Sequence, residues 1–518
     1  MKRRFDKNKS LGKTAQKGMV WSFLRESVSE ILAFPASMVL ARLLTPREFG
    51  VAAASTFFMQ LAGRLFDFGF NATLIRAKVV EPIHLSTIFV TQLVVGVTVC
   101  LGMMALSPLI GFFYNMPEAT EALPVAALAF VIAPFGSVPS ALLQRRFEYK
   151  KSTTIDWVQL LVTSVTNIVM ALLGFSYMSI IYGRLTSSLA TQAMRIYFAR
   201  WRPSFRFSSA VLREMLSLSS GFFAKRLLDY MAQNGDNLVV GKVQGLTALG
   251  LYDKAYSTMN RFLVRLNTGG PGIMFRIFAV IHEEPDRFRR AYTKVMLSSS
   301  MLGFPIFTAL AVMAPQLMVV MFGSQWTVAA TPFALLCVSG SLKLLNTYAS
   351  AATQAAGRVW SEVWRQVLFV TLIIGFIVAF SRWGPTGAAA GVLCATAVMT
   401  VLMHVLLQRV THLAWGRILK PLAPALVCSA GVAAVGLGSE YAIGLAIPQP
   451  NAWLLVACQT PAMALFVAAF ALFAPFRDLR DLVLELTDTL APSVVRQHRW
   501  TQAYLRAHAE AAGSAGSA

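Results

Sequence analysis

Apolar segments of about 20 residues, the length that a transmembrane helix requires, follow one another along almost the whole chain. Buried strands would give apolar runs of only about four to eight residues, and a transmembrane barrel would show segments of about ten residues with strict alternation. The 518 residues show neither pattern, and their hydrophilic connections are too short for a separate soluble domain. We therefore predict an all-α, polytopic membrane protein with about fourteen transmembrane helices. The predicted spans are 18–42, 49–74, 85–112, 119–143, 153–174, 177–199, 214–240, 249–275, 295–314, 328–356, 366–383, 385–408, 421–446 and 452–475.

The placement of Lys and Arg resolves an ambiguity in the composition. Only 14% of the residues are charged, as in membrane proteins, yet the formal net charge of +22 would indicate nucleic-acid binding in a soluble protein. Loops on the same side as the N-terminus hold about eight times as many Lys and Arg as loops on the other side. We therefore predict that both termini are cytoplasmic, and we exclude nucleic acid as a partner. The cations predicted to lie outside are Arg42, Arg47, Lys242 and Arg382.

The chain contains an internal repeat, which emerges when each residue is compared with the residue 200 positions later. The matched segments are Leu40–Leu43 with Val240–Val243, Phe49–Val51 with Leu249–Leu251 and, after a small insertion, Ser107–Leu109 with Ala314–Leu317. Each repeat holds six predicted helices, so both enter the membrane in the same direction. Two such lobes with a cavity between them are typical of transporters.

The repeat and the charge pattern divide the chain into five predicted segments. They are a basic cytoplasmic N-terminus at 1–17, an N-lobe at 18–200, a C-lobe at 201–412, two further helices at 413–476, and a cytoplasmic tail at 477–518 that is first amphipathic and then flexible.

Four predicted helices, the first two of each lobe, carry most of the ionisable residues inside the apolar spans, at the i, i+3, i+4 spacing of one helix face. Such groups face a polar cavity by default, and a surplus of Arg favours an anionic ligand, because the guanidinium fork fits phosphate oxygens. We predict no metal site. The candidate substrate-binding residues are Arg25, Arg64, Lys225, Arg226, Arg261 and Arg265.

The acidic residues of the same stripes have two possible roles. Carboxylates in a membrane cavity can take up H⁺ or hold Na⁺ and so couple transport to an ion gradient. Alternatively, they neutralise the basic residues, as Asp229 would do for Lys225. The acids concerned are Glu30, Asp67, Asp229 and Asp236. Asp156 and Arg184 are interpreted as isolated charges near helix ends. No other cofactor is expected.

Enzyme signatures are missing from the sequence. The five cysteines show no CxxC spacing, the histidines form no HExxH motif, and there is neither a GxxxxGK[ST] phosphate loop nor a GxSxG nucleophile motif. We predict that the chain is not an enzyme and has no catalytic residue.

Several motifs resemble the polysaccharide transporter family, the Wzx-type oligosaccharide flippases of the multidrug/oligosaccharidyl-lipid/polysaccharide exporter superfamily. They are GMVWSFL at Gly18–Leu24, LARLLTPREFGVAAAS at Leu40–Ser55, FDFGFNATLIR at Phe66–Arg76, LLQRRFEYKK at Leu142–Lys151, GDNLVVGKVQGLTALGLYDKAY at Gly235–Tyr256 and TQAAGRVW at Thr353–Trp360. The resemblance spans about residues 12–475 and implies two six-helix lobes in a V, with two extra helices.

The resemblance also implies a function in the bacterial inner membrane. Members flip undecaprenyl-diphosphate-linked oligosaccharide units by alternating access, for exopolysaccharide or lipopolysaccharide synthesis, together with a polymerase and export machinery. Related flippases use Arg of the first, second and eighth helices for the diphosphate, and Arg25, Arg64, Arg261 and Arg265 match those places.

Two other functions are compatible with the predicted helices. A cation-coupled multidrug exporter has the same fold, but its ligands are often cationic, which the Arg-rich stripes disfavour. A membrane glycosyltransferase or polymerase usually needs a large outside loop, and the predicted outside loops are only a few residues long.

Overall fold

The computed structural model describes residues 28–66, 74, 80–357, 359–411, 414–473, 476 and 479–480, with the backbone alone for 214–229, 232, 359 and 360. Throughout these ranges the regular structure is helical, without strands, which confirms the predicted all-α class. Arg25, Asp67, the N-terminal segment 1–17 and almost all of the predicted tail lie outside the described residues.

The chain divides into two compact units. The first unit comprises Met1–Thr258, Met318–Phe333 and Gln366–Ala395. It contains seven complete helices after α1, which is helical over residues 28–43 of the described chain. They are α2 (Pro46–Phe66), α3 (Pro82–Tyr114), α4 (Ala119–Ile132), α5 (Pro134–Arg145), α6 (Tyr149–Leu172), α7 (Met178–Ala199) and α8 (Ser209–Gln244), followed by the first half of α9 (Leu246–Asn267).

The second unit comprises Met259–Leu317, Ala334–Arg365 and Thr396–Ala518. The remaining helices belong to it wholly or in part. They are α10 (Gly270–Ile281), α11 (Pro285–Val312), α12 (Ala314–Phe322), α13 (Ala330–Ala355), α14 (Val359–Ala379), α15 (Gly384–Thr411), α16 (Trp415–Leu419), α17 (Ala423–Ala446) and α18 (Ala452–Phe473), with a 3₁₀ turn at Lys420–Leu422. The 3₁₀ turns at Ser324–Ala329 and Ser381–Trp383 belong to the first unit.

Where the chain is described, most helix bounds lie within several residues of the predicted spans. The exceptions are α11, which begins at Pro285 rather than at 295, and the predicted span 249–275, which consists of two helices, α9 and α10. Among the described helices, nine are long and apolar enough to cross a membrane. A tenth span results if α4 and α5, which meet at an angle of 46° before Pro134, are counted together. Proline bends a helix because it lacks an N–H and its ring displaces the preceding carbonyl. Helices α7, α8 and α9 are not among these spans, because charged and other polar residues lower their mean hydropathy. The count of fourteen and the predicted lobes stay predictions.

Close helix contacts in the first unit depend on glycine. A Cβ on Gly96 of α3 would overlap the carbonyl oxygen of Phe130 in α4, and a Cβ on Gly183 of α7 would overlap the Asn167 side chain of α6. Small residues permit such approaches between membrane helices, where packing rather than the hydrophobic effect drives association. The α6–α7 contact matters most here, because these two helices carry a polar groove.

The second unit is held by two apolar clusters. In one, Phe278 and Tyr292 are fully buried, and the Tyr292 hydroxyl lies 3.2 Å from Nε2 of His404. In the other, α17 and α18 interlock where Gly431 meets the Phe466 ring and Gly436 meets Met463. These contacts join the helices beyond residue 420 to α11.

Candidate functional site

Arg64 is the predicted diphosphate residue whose surroundings are best defined. It lies exposed in the last turn of α2, with its guanidinium carbon 5.4 Å from the ring centre of Tyr230 on α8. Tyr230 is buried, and its hydroxyl donates to the carbonyl oxygen of Phe57 at 2.9 Å. This bond fixes the ring on α2, so that the cation–π contact holds Arg64 in place.

The structure distributes the other predicted residues between the two units. Glu30 is half-buried on α1 in the first unit, whereas Arg261 and Arg265 lie in the part of α9 that belongs to the second unit. Arg261 is half-buried and Arg265 exposed, one helical turn apart. Lys225, Arg226 and Asp229 belong to the helical backbone of α8, whose side chains are not described there. One shared cavity for the whole set stays a prediction.

Asp236 is the predicted acid with the most complete set of contacts. It is 5% exposed and accepts a hydrogen bond of 2.6 Å from the Tyr252 hydroxyl and one of 2.9 Å from the Asn237 backbone N–H. The Asn237 amide also donates to Asp253 at 3.3 Å. Two carboxylates of α8 and α9 therefore share one buried polar network inside the first unit.

Lys254, on the predicted stripe of the eighth span, lies in an aromatic enclosure. Its ammonium nitrogen donates to the Ser37 hydroxyl at 3.0 Å and lies 4.6 and 4.3 Å from the ring centres of Phe49 and Phe322, with Trp326 at 5.8 Å. The side chain is 5% exposed. Aromatic faces stabilise a cation that has lost its water, so Lys254 contributes to packing between α1, α2 and α9.

A polar groove in the first unit was missed by the sequence analysis. Its volume is about 730 Å³, within the range of ligand sites. The Arg184 guanidinium is oriented by donating to the Thr56 hydroxyl at 2.7 Å. Apart from Leu160, every lining side chain is polar: Ser29, Asp156, Gln159, Thr163, Arg184 and Ser187.

The sequence did contain a signal for this groove. Asp156, Gln159 and Thr163 follow helical i, i+3, i+7 spacing on α6, and Arg184 with Ser187 repeats the i, i+3 step on α7. Because each of these helices holds only one or two ionisable groups within its span, the sequence alone indicates isolated charges near helix ends. Only the contact between α6 and α7 brings the two faces together.

The chemistry of the groove suits a polyhydroxylated ligand. Hydroxyls and the Gln159 amide both donate and accept, the Asp156 carboxylate only accepts, and the Arg184 guanidinium only donates. Because these two charges cancel, the groove does not select an anion in the way that an arginine cluster does. Within the described part of the chain, His, Cys, Asp and Glu form no group of three that could hold a metal ion.

Comparisons with known proteins agree with the predicted family. A family model described as "Polysaccharide biosynthesis protein" matches residues 39–331. The lipopolysaccharide biosynthesis protein WzxC of Escherichia coli K12 is 27% identical over 68% of this chain and 72% of its own. The succinoglycan biosynthesis transport protein ExoT of Rhizobium meliloti is 25% identical over 65% of this chain and 68% of its own.

Solved structures share the fold at low sequence identity. The lipid II flippase MurJ, in an inward closed conformation, has a TM-score of 0.69 and 13% identity, covering 90% of this chain and all of its own. An inward-facing multidrug transporter of the MATE family has a TM-score of 0.59 and 15% identity, covering 76% of this chain and 98% of its own. The chain therefore shares its fold with these two membrane transport proteins, and it belongs to the polysaccharide biosynthesis protein family that the motifs predicted.

Proposed function

We propose that this protein is a flippase for undecaprenyl-diphosphate-linked oligosaccharide units, which it moves from the cytoplasmic to the outer leaflet of a bacterial inner membrane. The observation that carries the proposal is the polar groove of α6 and α7 within a membrane protein of the polysaccharide biosynthesis family. A membrane protein that moves a sugar needs polar groups at membrane depth, and a cavity lined by such groups marks a substrate path by default.

The two ends of such a substrate need different sites. In the proposed mode the sugars bind in the groove, where Asp156, Gln159 and Arg184 offer planar polar groups to neighbouring hydroxyls. The diphosphate binds the predicted arginines, of which Arg64 has the best defined surroundings. The polyprenyl chain stays in the lipid. Alternating access then carries the polar head across while the lipid anchor follows along the protein surface.

Coupling, orientation and partners complete the proposal. Asp236, together with Asp229 and Glu30, supplies the carboxylates for H⁺ or Na⁺ coupling, which the buried Asp236 network supports. Both termini are cytoplasmic, and a polymerase with its export machinery uses the product in exopolysaccharide or lipopolysaccharide synthesis.

A multidrug exporter is the second candidate function, since the transporter of the MATE family shares the fold with a TM-score of 0.59. The sequence relatives favour the flippase, because WzxC and ExoT both carry names from polysaccharide biosynthesis. An apolar, cationic drug also matches poorly with a groove whose lining is almost entirely polar.

The test is flipping of lipid-linked oligosaccharide in reconstituted vesicles, measured as the fraction that an impermeant lectin can reach. Gln159→Ala and Arg184→Ala should each reduce the rate by about tenfold, the effect of losing one or two hydrogen bonds to the ligand. Val165→Ala is the matched control, since Val165 lies on the opposite face of α6 and is 58% exposed. Flipping that is indifferent to the sugar head, with drug efflux instead, would contradict the proposal.

A further inference from the structure

Two of the four cations predicted to lie outside are bound to the carbonyl ends of helices. Nη2 of Arg42 donates to the carbonyl oxygen of Val320 at 2.7 Å, and Nζ of Lys242 donates to that of Phe113 at 2.6 Å. Val320 and Phe113 lie in the last turns of α12 and α3, where carbonyls have no partner within the helix and carry partial negative charge. Each cation therefore caps a helix C-terminus.

These two hydrogen bonds occupy equivalent positions in the two halves of the internal repeat. Arg42 corresponds to Lys242 at the offset of 200, and Phe113 corresponds to Val320 at the offset of 207 that aligns Pro108 with Pro315. A residue of the N-lobe thus holds a helix of the C-lobe, and the equivalent residue of the C-lobe holds the equivalent helix of the N-lobe. All four residues lie in the first unit. We call these two bonds the outer latch.

The backbones of α2 and α9 touch beside the outer latch. A Cβ on Gly50 would overlap the carbonyl oxygen of Leu246, and a Cβ on Gly250 would overlap that of Pro46. Pro46 and Leu246 are the first residues of their helices and also correspond to each other in the repeat. In this Gly50–Gly250 crossing, the repeat therefore relates each of the two close contacts to the other. No side chain larger than hydrogen fits at either position.

Further bonds close the same end of the unit. The indole N–H of the fully buried Trp326 donates to the carbonyl oxygen of Ala41 at 2.7 Å. The Tyr114 hydroxyl donates to the carbonyl oxygen of Leu238 at 2.9 Å. The donor of the first bond, Trp326, belongs to the predicted C-lobe and its acceptor to the N-lobe, whereas the donor of the second, Tyr114, belongs to the N-lobe and its acceptor to the C-lobe. A path between the two lobes at this end would require all of these bonds to break.

We propose that the outer latch and the Gly50–Gly250 crossing are the gate that closes the transport path on the outside, and that Arg42, Lys242, Gly50 and Gly250 set its equilibrium. This assignment rests on the proposed alternating access. The two glycines let α2 and α9 meet, while the two cations bind carbonyl oxygens in the last turns of α12 and α3. Because the arrangement is symmetric, both latch bonds must break when the lobes separate, so opening is one concerted step.

The test measures gate opening without a substrate, so that it does not depend on the identity of the cargo. In a cysteine-free background, a reporter cysteine replaces Ala54, which is 1% exposed and lies one turn beyond Gly50 on the same face of α2. The labelling rate is measured with an impermeant maleimide applied from the outside. Arg42→Ala with Lys242→Ala should raise this rate by about tenfold, the population shift expected from losing two hydrogen bonds.

Gly50→Ala and Gly250→Ala should raise labelling further, because the added methyl group prevents closure. Arg47→Ala is the matched control. It removes another outside cation, whose 2.6 Å ion pair with Glu118 stays within the N-lobe, and should leave labelling unchanged. Arg42→Lys keeps a cation and a donor at this position, so its labelling should be slow, as in the parent protein.

The gate assignment is overturned if both the latch and the glycine variants, at normal membrane levels, label like the parent. It is also overturned if Arg47→Ala accelerates labelling equally, or if the increase occurs only with reagent on the cytoplasmic side. A confirmed gate in a protein that fails to flip lipid-linked sugar would overturn the proposed function alone.

Discussion

Arg64 illustrates how one aromatic side chain prepares a cation for a ligand. The Tyr230 ring lies against the guanidinium at 5.4 Å and is itself tied to α2 through Phe57. A ring contact uses the charge of the guanidinium but not its N–H donors. The arrangement therefore stabilises the position of Arg64 while keeping the chemistry that a phosphate group requires.

Replacing Arg64 should abolish polymer export. Arg64→Ala removes both charge and donors, and Arg64→Lys keeps only a point charge, so we expect export to be lost in the first and reduced about tenfold in the second. Arg261→Ala should also abolish export. The measurement is surface polymer in cells that depend on the plasmid-borne gene, normalised to the protein in the membrane. Lys151→Ala, which removes an exposed partner of Glu148, is the control, and full export in Arg64→Ala would refute the diphosphate role.

Asp236 permits a separate test of ion coupling. Its carboxylate accepts bonds from Tyr252 and Asn237 inside the first unit, and Asp236→Asn preserves the shape of the side chain while removing its charge. We expect this variant, and Asp229→Asn, to change the dependence of flipping on pH or Na⁺ in vesicles with an imposed gradient. Tyr252→Phe should lower the rate but preserve that dependence. An unchanged dependence in Asp236→Asn would restrict Asp236 to a structural role.

At the scale of helices, the pairing of α6 with α7 creates the groove. Gly183 lets α7 approach α6 until a Cβ would overlap Asn167, and the Thr186 hydroxyl donates to the Thr166 hydroxyl at 3.2 Å one turn further on. This tight contact places Arg184 and Ser187 in the same groove as Gln159. The geometry of the site therefore depends on a glycine that touches no ligand.

Gly183→Leu should separate these helices. Overpacking of this kind costs about 1–3 kcal/mol, so we expect a lower thermal unfolding midpoint in detergent and loss of flipping, with membrane insertion retained. Gly102→Ala on α3 is the control, because nothing lies within 4 Å of a Cβ there. It should leave both quantities unchanged. Equal flipping by Gly183→Leu and its control would show that the groove tolerates separation of α6 from α7.

A comparison of the helices with the predicted spans shows what the sequence can predict. Runs of apolar residues predicted the positions of the helices, because span length and hydrophobicity are local properties. They predicted one span at 119–143, where the chain has two helices meeting at Pro134. The groove could not be predicted, since Asp156 and Arg184 acquire their role only when α6 and α7 are paired. The repeat, in contrast, matched Arg42 with Lys242, and in the structure each of them donates to a carbonyl oxygen in the last turn of a helix.

For the whole molecule, orientation in the membrane decides what the latch and the groove can do. The charge bias predicts that the Arg42 and Lys242 loops lie outside and that the turn between α10 and α11 lies inside. If the chain had the opposite orientation, the outer latch would close the cytoplasmic end, and the protein could not accept a substrate that is made in the cytoplasm.

Two single cysteines test this orientation directly. Gln449 lies exposed between α17 and α18, and Glu283 lies exposed between α10 and α11. In a cysteine-free background, Gln449→Cys should react with an impermeant maleimide added to intact spheroplasts, whereas Glu283→Cys should react only after permeabilisation. The helices α11 to α17 separate these two loops, so opposite accessibility requires an odd number of crossings between them. Reaction of both cysteines in intact spheroplasts would refute the predicted topology, and with it the assignment of the latch to the outside.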